Sequence, residues 1–261
     1  MWVKARDLDF AVTFHGGLGN MATGSFTSVS NYSFNHVGSF AQRMHTLVKS
    51  LFMGGVTRRF PDMGFAVLEC GVGSFAHLSQ RPHRPLGEAS PRGPRTARPG
   101  RHRLGRAGGA DAPPRPRAAR RRDDVRAGLA TIPGIGVPPA ERDEWRHVGA
   151  SSPDELIDRF APSFYFGCEA DDRTVAYAFS PANSRGFGLK PLFSSDIGHW
   201  DAGDVAGVVA EAYELVEHQI LTEAQFSQFV YENPARLFLD QNPDFFARTA
   251  VAAHLPAPAD A

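Results

Sequence analysis

The sequence predicts an α/β fold, a partial eight-stranded (β/α)8 TIM barrel built from parallel units, and three observations predict it. Four short runs of β-branched, aromatic and aliphatic residues are separated by stretches of helical spacing, which favours parallel β/α units over a meander. Each run stops at a polar residue: His15 after Phe14, Glu69 after Leu68, Glu169 after Cys168 and Asp196 after Ser195. In a (β/α)8 barrel the C-terminal strand ends form the active-site mouth, so the polar stops mark a candidate site. Four strands supply half of such a barrel.

The elements follow in order. Asp9 to Phe14 and Phe65 to Leu68 read as buried strands closed by polar residues and glycine. Between them, His36 to Arg59 reads as a helix, because Phe40, Met44, Leu47, Leu51 and Phe52 recur at helical spacing, with Pro61 as the stop. Ser163 to Cys168 and Pro191 to Asp196 supply the third and fourth strands. Helices follow at Asp204 to Gln219, Thr222 to Tyr231 and Pro234 to Asp240. Thr222 and Gln225 have capping-box spacing, and Asn233 before Pro234 reads as an N-cap followed by proline at the first helical position.

Composition divides the chain into three segments, 1–77, 78–124 and 125–261. The outer two carry the β/α patterns, strands 5 and 6 of a barrel in the first and strands 7 and 8 with the C-terminal helices in the last. The middle one has no aromatic residue, valine or isoleucine and is expected to be disordered, since it cannot bury enough apolar surface to offset ordering entropy. Over the whole chain 28 basic residues balance 28 acidic ones, yet Arg81 to Arg122 holds thirteen arginines against Glu88 and Asp111 alone. Such a block suggests nucleic acid as a partner. It lacks the aromatic interleaving that single-strand binding adds, so a basic nucleic-acid-binding protein is the disfavoured alternative to an enzyme.

No basic segment followed by an apolar one opens the chain, and no run reaches the ~18 apolar residues of a membrane span. A cytoplasmic protein with no membrane partner is expected. Cys70 and Cys168 are too few for a disulfide framework and read as small packed residues.

Three segments could carry chemistry. His15, with Gly16 and Gly17 behind it, places an imidazole where zinc, manganese or iron could bind, or where a loop could simply hydrogen-bond it. Asp196, with His199 three residues on, could bind a metal and accept a proton, or could cap a helix. Glu69 stands before Cys70-Gly71-Val72-Gly73, which departs from dinucleotide-binding spacing, so a carboxylate at the mouth is the better reading.

Taken in order, Phe14-His15-Gly16-Gly17, Arg59-Phe60-Pro61-Asp62-Met63 leading to Leu68-Glu69-Cys70-Gly71-Val72-Gly73, Ser194-Ser195-Asp196-Ile197-Gly198-His199-Trp200 and Glu232-Asn233-Pro234-Ala235-Arg236-Leu237-Phe238 resemble the C-terminal half of the amidohydrolase-related family. That family includes aminocarboxymuconate semialdehyde decarboxylase and other metal-dependent hydrolases and decarboxylases. The resemblance implies His15 and Asp196 as ligands of a divalent zinc or manganese, with Asp196, Glu69 and His199 in catalytic positions. Glu69 stands where decarboxylases of the family carry histidine, which leaves hydrolysis open. The implied substrate is a small carboxylated or carbonyl compound, and a homo-oligomer is compatible with the pattern.

Two departures qualify the resemblance. The His-x-His motif that supplies the first two metal ligands in relatives does not precede His15, so a truncated protein with weak metal binding and low or no activity is expected. The Arg-rich block stands where a barrel helix belongs. A shifted reading frame in GC-rich coding sequence would yield its composition, and suitable codons for Arg81 to Ala89 give an amphipathic string when read one nucleotide later.

Overall fold

The computed structural model describes residues 1–16, 38–80, 146–183, 186–199 and 204–256. The Arg-rich block and nearly all of 78–124 lie outside these residues. Gly73–Gln80 is an α-helix, however, so the first three residues of the expected irregular segment, Leu78 to Gln80, are helical. Met1–Pro82 and His147–Ala261 belong to one compact unit.

Its centre is a four-stranded, wholly parallel sheet of β1 (Val12–Phe14), β2 (Phe65–Val67), β3 (Phe164–Cys168) and β4 (Lys190–Phe193), in the order β1-β2-β3-β4. The registers Phe14↔Val67, Val67↔Phe166 and Phe166↔Pro191 align the strands. The α/β expectation therefore holds, with four parallel strands at the four predicted places.

Side chains alternate between the two faces. Phe65, Val67, Phe164 and Phe166 form the first face, all fully buried. Against it pack Trp2 of α1 (Trp2–Asp7), Phe75 of α4 (Gly73–Gln80) and Phe160 of α5 (Pro153–Phe160), with Phe75 and Phe166 ring centroids 4.4 Å apart and Phe160 and Phe164 5.1 Å. Phe52 of α2 (Ser39–Met53) meets Phe160 edge-on. The second face presents Ala66, Tyr165 and Leu192, which pack on Leu237 of α8 (Asn233–Leu239).

Several element boundaries differ from expectation. The helix predicted from His36 to Arg59 is two helices, α2 and α3 (Val56–Arg59), because Gly54 and Gly55 end the first before Pro61 is reached. Gly55 has φ +71°. A Cβ there would meet the His147 carbonyl oxygen at 2.3 Å, so the break needs glycine on two counts. The segment Asp204 to Gln219 begins as a turn, in which Asp204 Oδ1 accepts from the Ala206 and Gly207 amides, and only Val208–Glu217 is helical (α6).

The capping box at Thr222 forms as expected at the head of α7 (Glu223–Ser227). Asn233 is not an N-cap. A single π-turn, Gln228–Glu232, carries the helix from α7 into α8 without interruption, and the Asn233 amide instead donates to the Pro191 carbonyl at 2.9 Å. Sequence spacing also passed over α1, which buries none of its residues, and α5, which Ser152 and Pro153 start in the standard way.

Candidate active site

The C-terminal ends of β1, β2 and β4 each deliver one or two of the predicted side chains. His15 follows β1. Gly16 behind it is buried against Phe40 of α2, whose ring would stand 2.1 Å from any Cβ at that position. The imidazole, 47% exposed, donates from Nε2 to Glu69 Oε1 at 2.7 Å.

Glu69 follows β2 in a left-handed conformation, φ +52°, which is costly for a residue with a long side chain. The turn after it is pinned, since the amides of Cys70 and Gly71 both donate to the Gly167 carbonyl, at 3.3 and 2.9 Å. Its carboxylate is only 11% exposed.

Asp196 follows β4 and is also left-handed, φ +49°. The next residues turn tightly. Gly198 has φ +107° and the His199 amide donates to the Asp196 carbonyl at 3.1 Å, which brings the His199 ring back over its own turn. His199 Nδ1 lies 2.7 Å from Asp196 Oδ1 and 3.8 Å from Glu69 Oε1. No helix starts at Asp196, so the capping alternative does not apply.

Glu69, Asp196 and His199 thus offer three ligand atoms lying within 4.8 Å of one another, and His15 joins the group through Glu69. Two imidazoles and two carboxylates are a donor set suited to zinc or manganese, and three converging protein ligands match the number a catalytic zinc uses. Of the ligand pair expected from sequence, His15 and Asp196, only Asp196 belongs to this group of three; His15 stands outside it, bonded to Glu69, and Glu69 and His199 complete the group. Two of the four non-glycine residues with positive φ among the described residues are the site carboxylates, Glu69 and Asp196, and backbone strain concentrates at functional positions.

Glu169, the polar residue after β3, stands apart from this group. It lines a cleft of about 890 Å³ beside Asp196, with Asp171, Asp204, Glu211 and Glu214 among its other walls. A cleft with so many carboxylates raises the local concentration of cations. Neither cysteine contributes. Burial pushes both the Cys70 and Cys168 thiols well up, so they stay protonated and serve as packing.

Gly167, which holds the Glu69 turn, was not signalled by any sequence pattern. Only the strand register, which seats it between the ends of β2 and β4, singles it out. No known protein family matches the chain, and neither the curated proteins nor the solved structures contain a match to it. None of the described helices is long and apolar enough to cross a membrane.

Proposed function

We propose that this chain carries the divalent-cation site of a metal-dependent hydrolase or decarboxylase of the amidohydrolase-related type, and that its sheet is an arc of a (β/α)8 barrel. The observation that carries the proposal is the convergence of Glu69, Asp196 and His199 within 4.8 Å, with His15 bonded to Glu69. Sequential strand order and a mouth of polar residues at the C-terminal strand ends support the barrel reading.

Glu69, Asp196 and His199 would hold the cation, with His15 orienting Glu69 or adding a fourth donor. A bound zinc or manganese supplies Lewis acidity and lowers the pKa of a coordinated water. Among this chain's own groups, Asp196 would serve as the proton acceptor, since a carboxylate offers a second oxygen when the first faces the cation beside the His199 Nδ1 that lies 2.7 Å from it. The acid-lined cleft opposes a carboxylated substrate, so hydrolysis of a small neutral carbonyl compound fits the surroundings better than decarboxylation. Turnover is expected to be low, because His15 and His199 are 47% and 56% exposed and water is not excluded from the reacting centre.

Calorimetric titration of the protein, stripped with chelator, with Zn²⁺ and Mn²⁺ tests this. One ion per chain should bind, with affinity lost at least tenfold in Asp196→Ala. Absence of binding at millimolar metal, or equal binding by Asp196→Ala, would refute the site.

A further inference from the structure

We infer that Gly167, a residue with no ligand atom of its own, is the positioning residue that sets the span of the cation site. The inference rests on the proposed site and goes beyond it by saying what lets that site form. Glu69 and Asp196 follow β2 and β4, which are not neighbours, because β3 runs between them. Strands that are two places apart in a sheet are separated by about 9.6 Å. Yet the ligand atoms of Glu69, Asp196 and His199 lie within 4.8 Å of one another. Side chains from the two strand ends thus meet over the top of β3, and what β3 presents there limits how close the segments that carry them come.

What it presents is Gly167, paired in register with Leu192. A Cβ built on Gly167 would lie 2.8 Å from Ser194 Oγ, 3.0 Å from Leu68 Cα and 3.1 Å from Glu69 N. The first atom belongs to the β4 end and the other two to the β2 end, so a single methyl would wedge the two ligand-bearing segments apart. Two of the three contacts are backbone, which cannot swing aside as a side chain can. Gly167 does not use the left-handed torsions that glycine alone tolerates, so the requirement is one of space. The same residue accepts the Cys70 and Gly71 amides, so a displacement at Gly167 passes directly into the turn that carries Glu69. First-row divalent metals bind oxygen and nitrogen at about 2.0–2.2 Å, and small ligand displacements remove most of the benefit.

The test compares Zn²⁺ binding and the visible spectrum of the Co²⁺-loaded protein between the wild-type chain and Gly167→Ala. Circular dichroism and thermal unfolding confirm that the variant is folded. Gly167→Ala should bind Zn²⁺ at least tenfold more weakly and lose the intense Co²⁺ bands of a compact four-coordinate site, while its fold is retained. A change confined to global stability would leave both readouts as in the wild type. Zn²⁺ affinity within twofold of wild type, with an unchanged Co²⁺ spectrum, would overturn the inference while leaving the site proposal standing. Failure of the wild-type chain to bind Zn²⁺ would instead overturn the site itself. Should Gly167→Ala not fold, Ser194→Val fills the same gap from the β4 side. It carries the same expectation of a tenfold loss, and affinity within twofold of wild type would again overturn the inference.

Discussion

At its N-terminal end the sheet is locked by side chains, whereas at its C-terminal end side chains are held in strain and left open to solvent. At the lower end, Lys190 Nζ donates to the Pro162 carbonyl at 2.9 Å and sits 4.5 Å above the Tyr165 ring, whose hydroxyl points to Asp240. Burial pushes the Lys190 ammonium down, with Asp240 opposing, and burial followed by Asp240 pushes the Tyr165 phenol up. Gln241 reaches the Asp62 carbonyl at 2.8 Å. At the upper end, two half-exposed histidines pair with largely buried carboxylates, and both carboxylates sit on left-handed backbone. The difference separates groups that hold the fold from groups that the fold holds.

The largest expected effect tests the lower end. Tyr165 is 1% exposed and touches Ala66, Leu192 and Leu237, so Tyr165→Ala should cost about 3–5 kcal/mol in urea unfolding, as large-to-small core changes do. Zn²⁺ affinity of the fraction that stays folded should hardly change. A loss below about 1 kcal/mol would mean that α8 does not seal this face of the sheet.

Asn233→Ala is a smaller break in the same end. The Ser194 amide bonds to the Cys168 carbonyl, so alternate residues of β4 face β3 and Pro191 faces the open edge. Proline has no amide proton there, and its carbonyl accepts from the Asn233 amide. Removing the amide leaves the carbonyl without that donor and should cost about 1–2 kcal/mol, again with cation binding intact. Wild-type stability in Asn233→Ala would show that water replaces the bond at no cost.

The same division explains what could be read from sequence. Strand ends were legible because the apolar runs change character within one residue at His15, at Glu69 and after Phe193, three residues short of Asp196, and the hydrophobic effect enforces that change wherever a strand leaves the core. The Thr222 cap was legible because its two partners are three residues apart. Asn233 was misplaced because Asn followed by Pro looks the same at a helix start and inside a continuous helix. What distinguished the two was a carbonyl 42 residues away, at Pro191. Trp2 helped place α1 only through its edge-on contacts with Phe14 and Phe65, which no local periodicity reports. Gly167 was invisible for the same reason, since its role depends on register across three strands.

The smallest predicted effect asks whether the upper end is strained for the sake of its chemistry. Glu69 has φ +52°, a conformation that costs a residue with a Cβ about 1–2 kcal/mol and costs glycine almost nothing. Glu69→Gly releases that strain. Against it stand the greater entropy of glycine in the unfolded chain, about 0.5–1 kcal/mol, and the loss of the half-exposed bond to His15, worth a few tenths to about 1 kcal/mol. The terms nearly cancel, so Glu69→Gly should leave stability within about 0.5 kcal/mol of the wild type while Zn²⁺ binding is lost. Asp196→Gly provides the comparison within the same end. Aspartate tolerates left-handed backbone better than glutamate does, so less strain is released there, while the 2.7 Å pairing with His199 is lost. No gain is expected from it. Urea unfolding of both variants decides the matter: a destabilisation of more than about 1 kcal/mol in Glu69→Gly would show that the carboxylate braces the strand ends, and the upper end would then be held by its side chains as the lower one is.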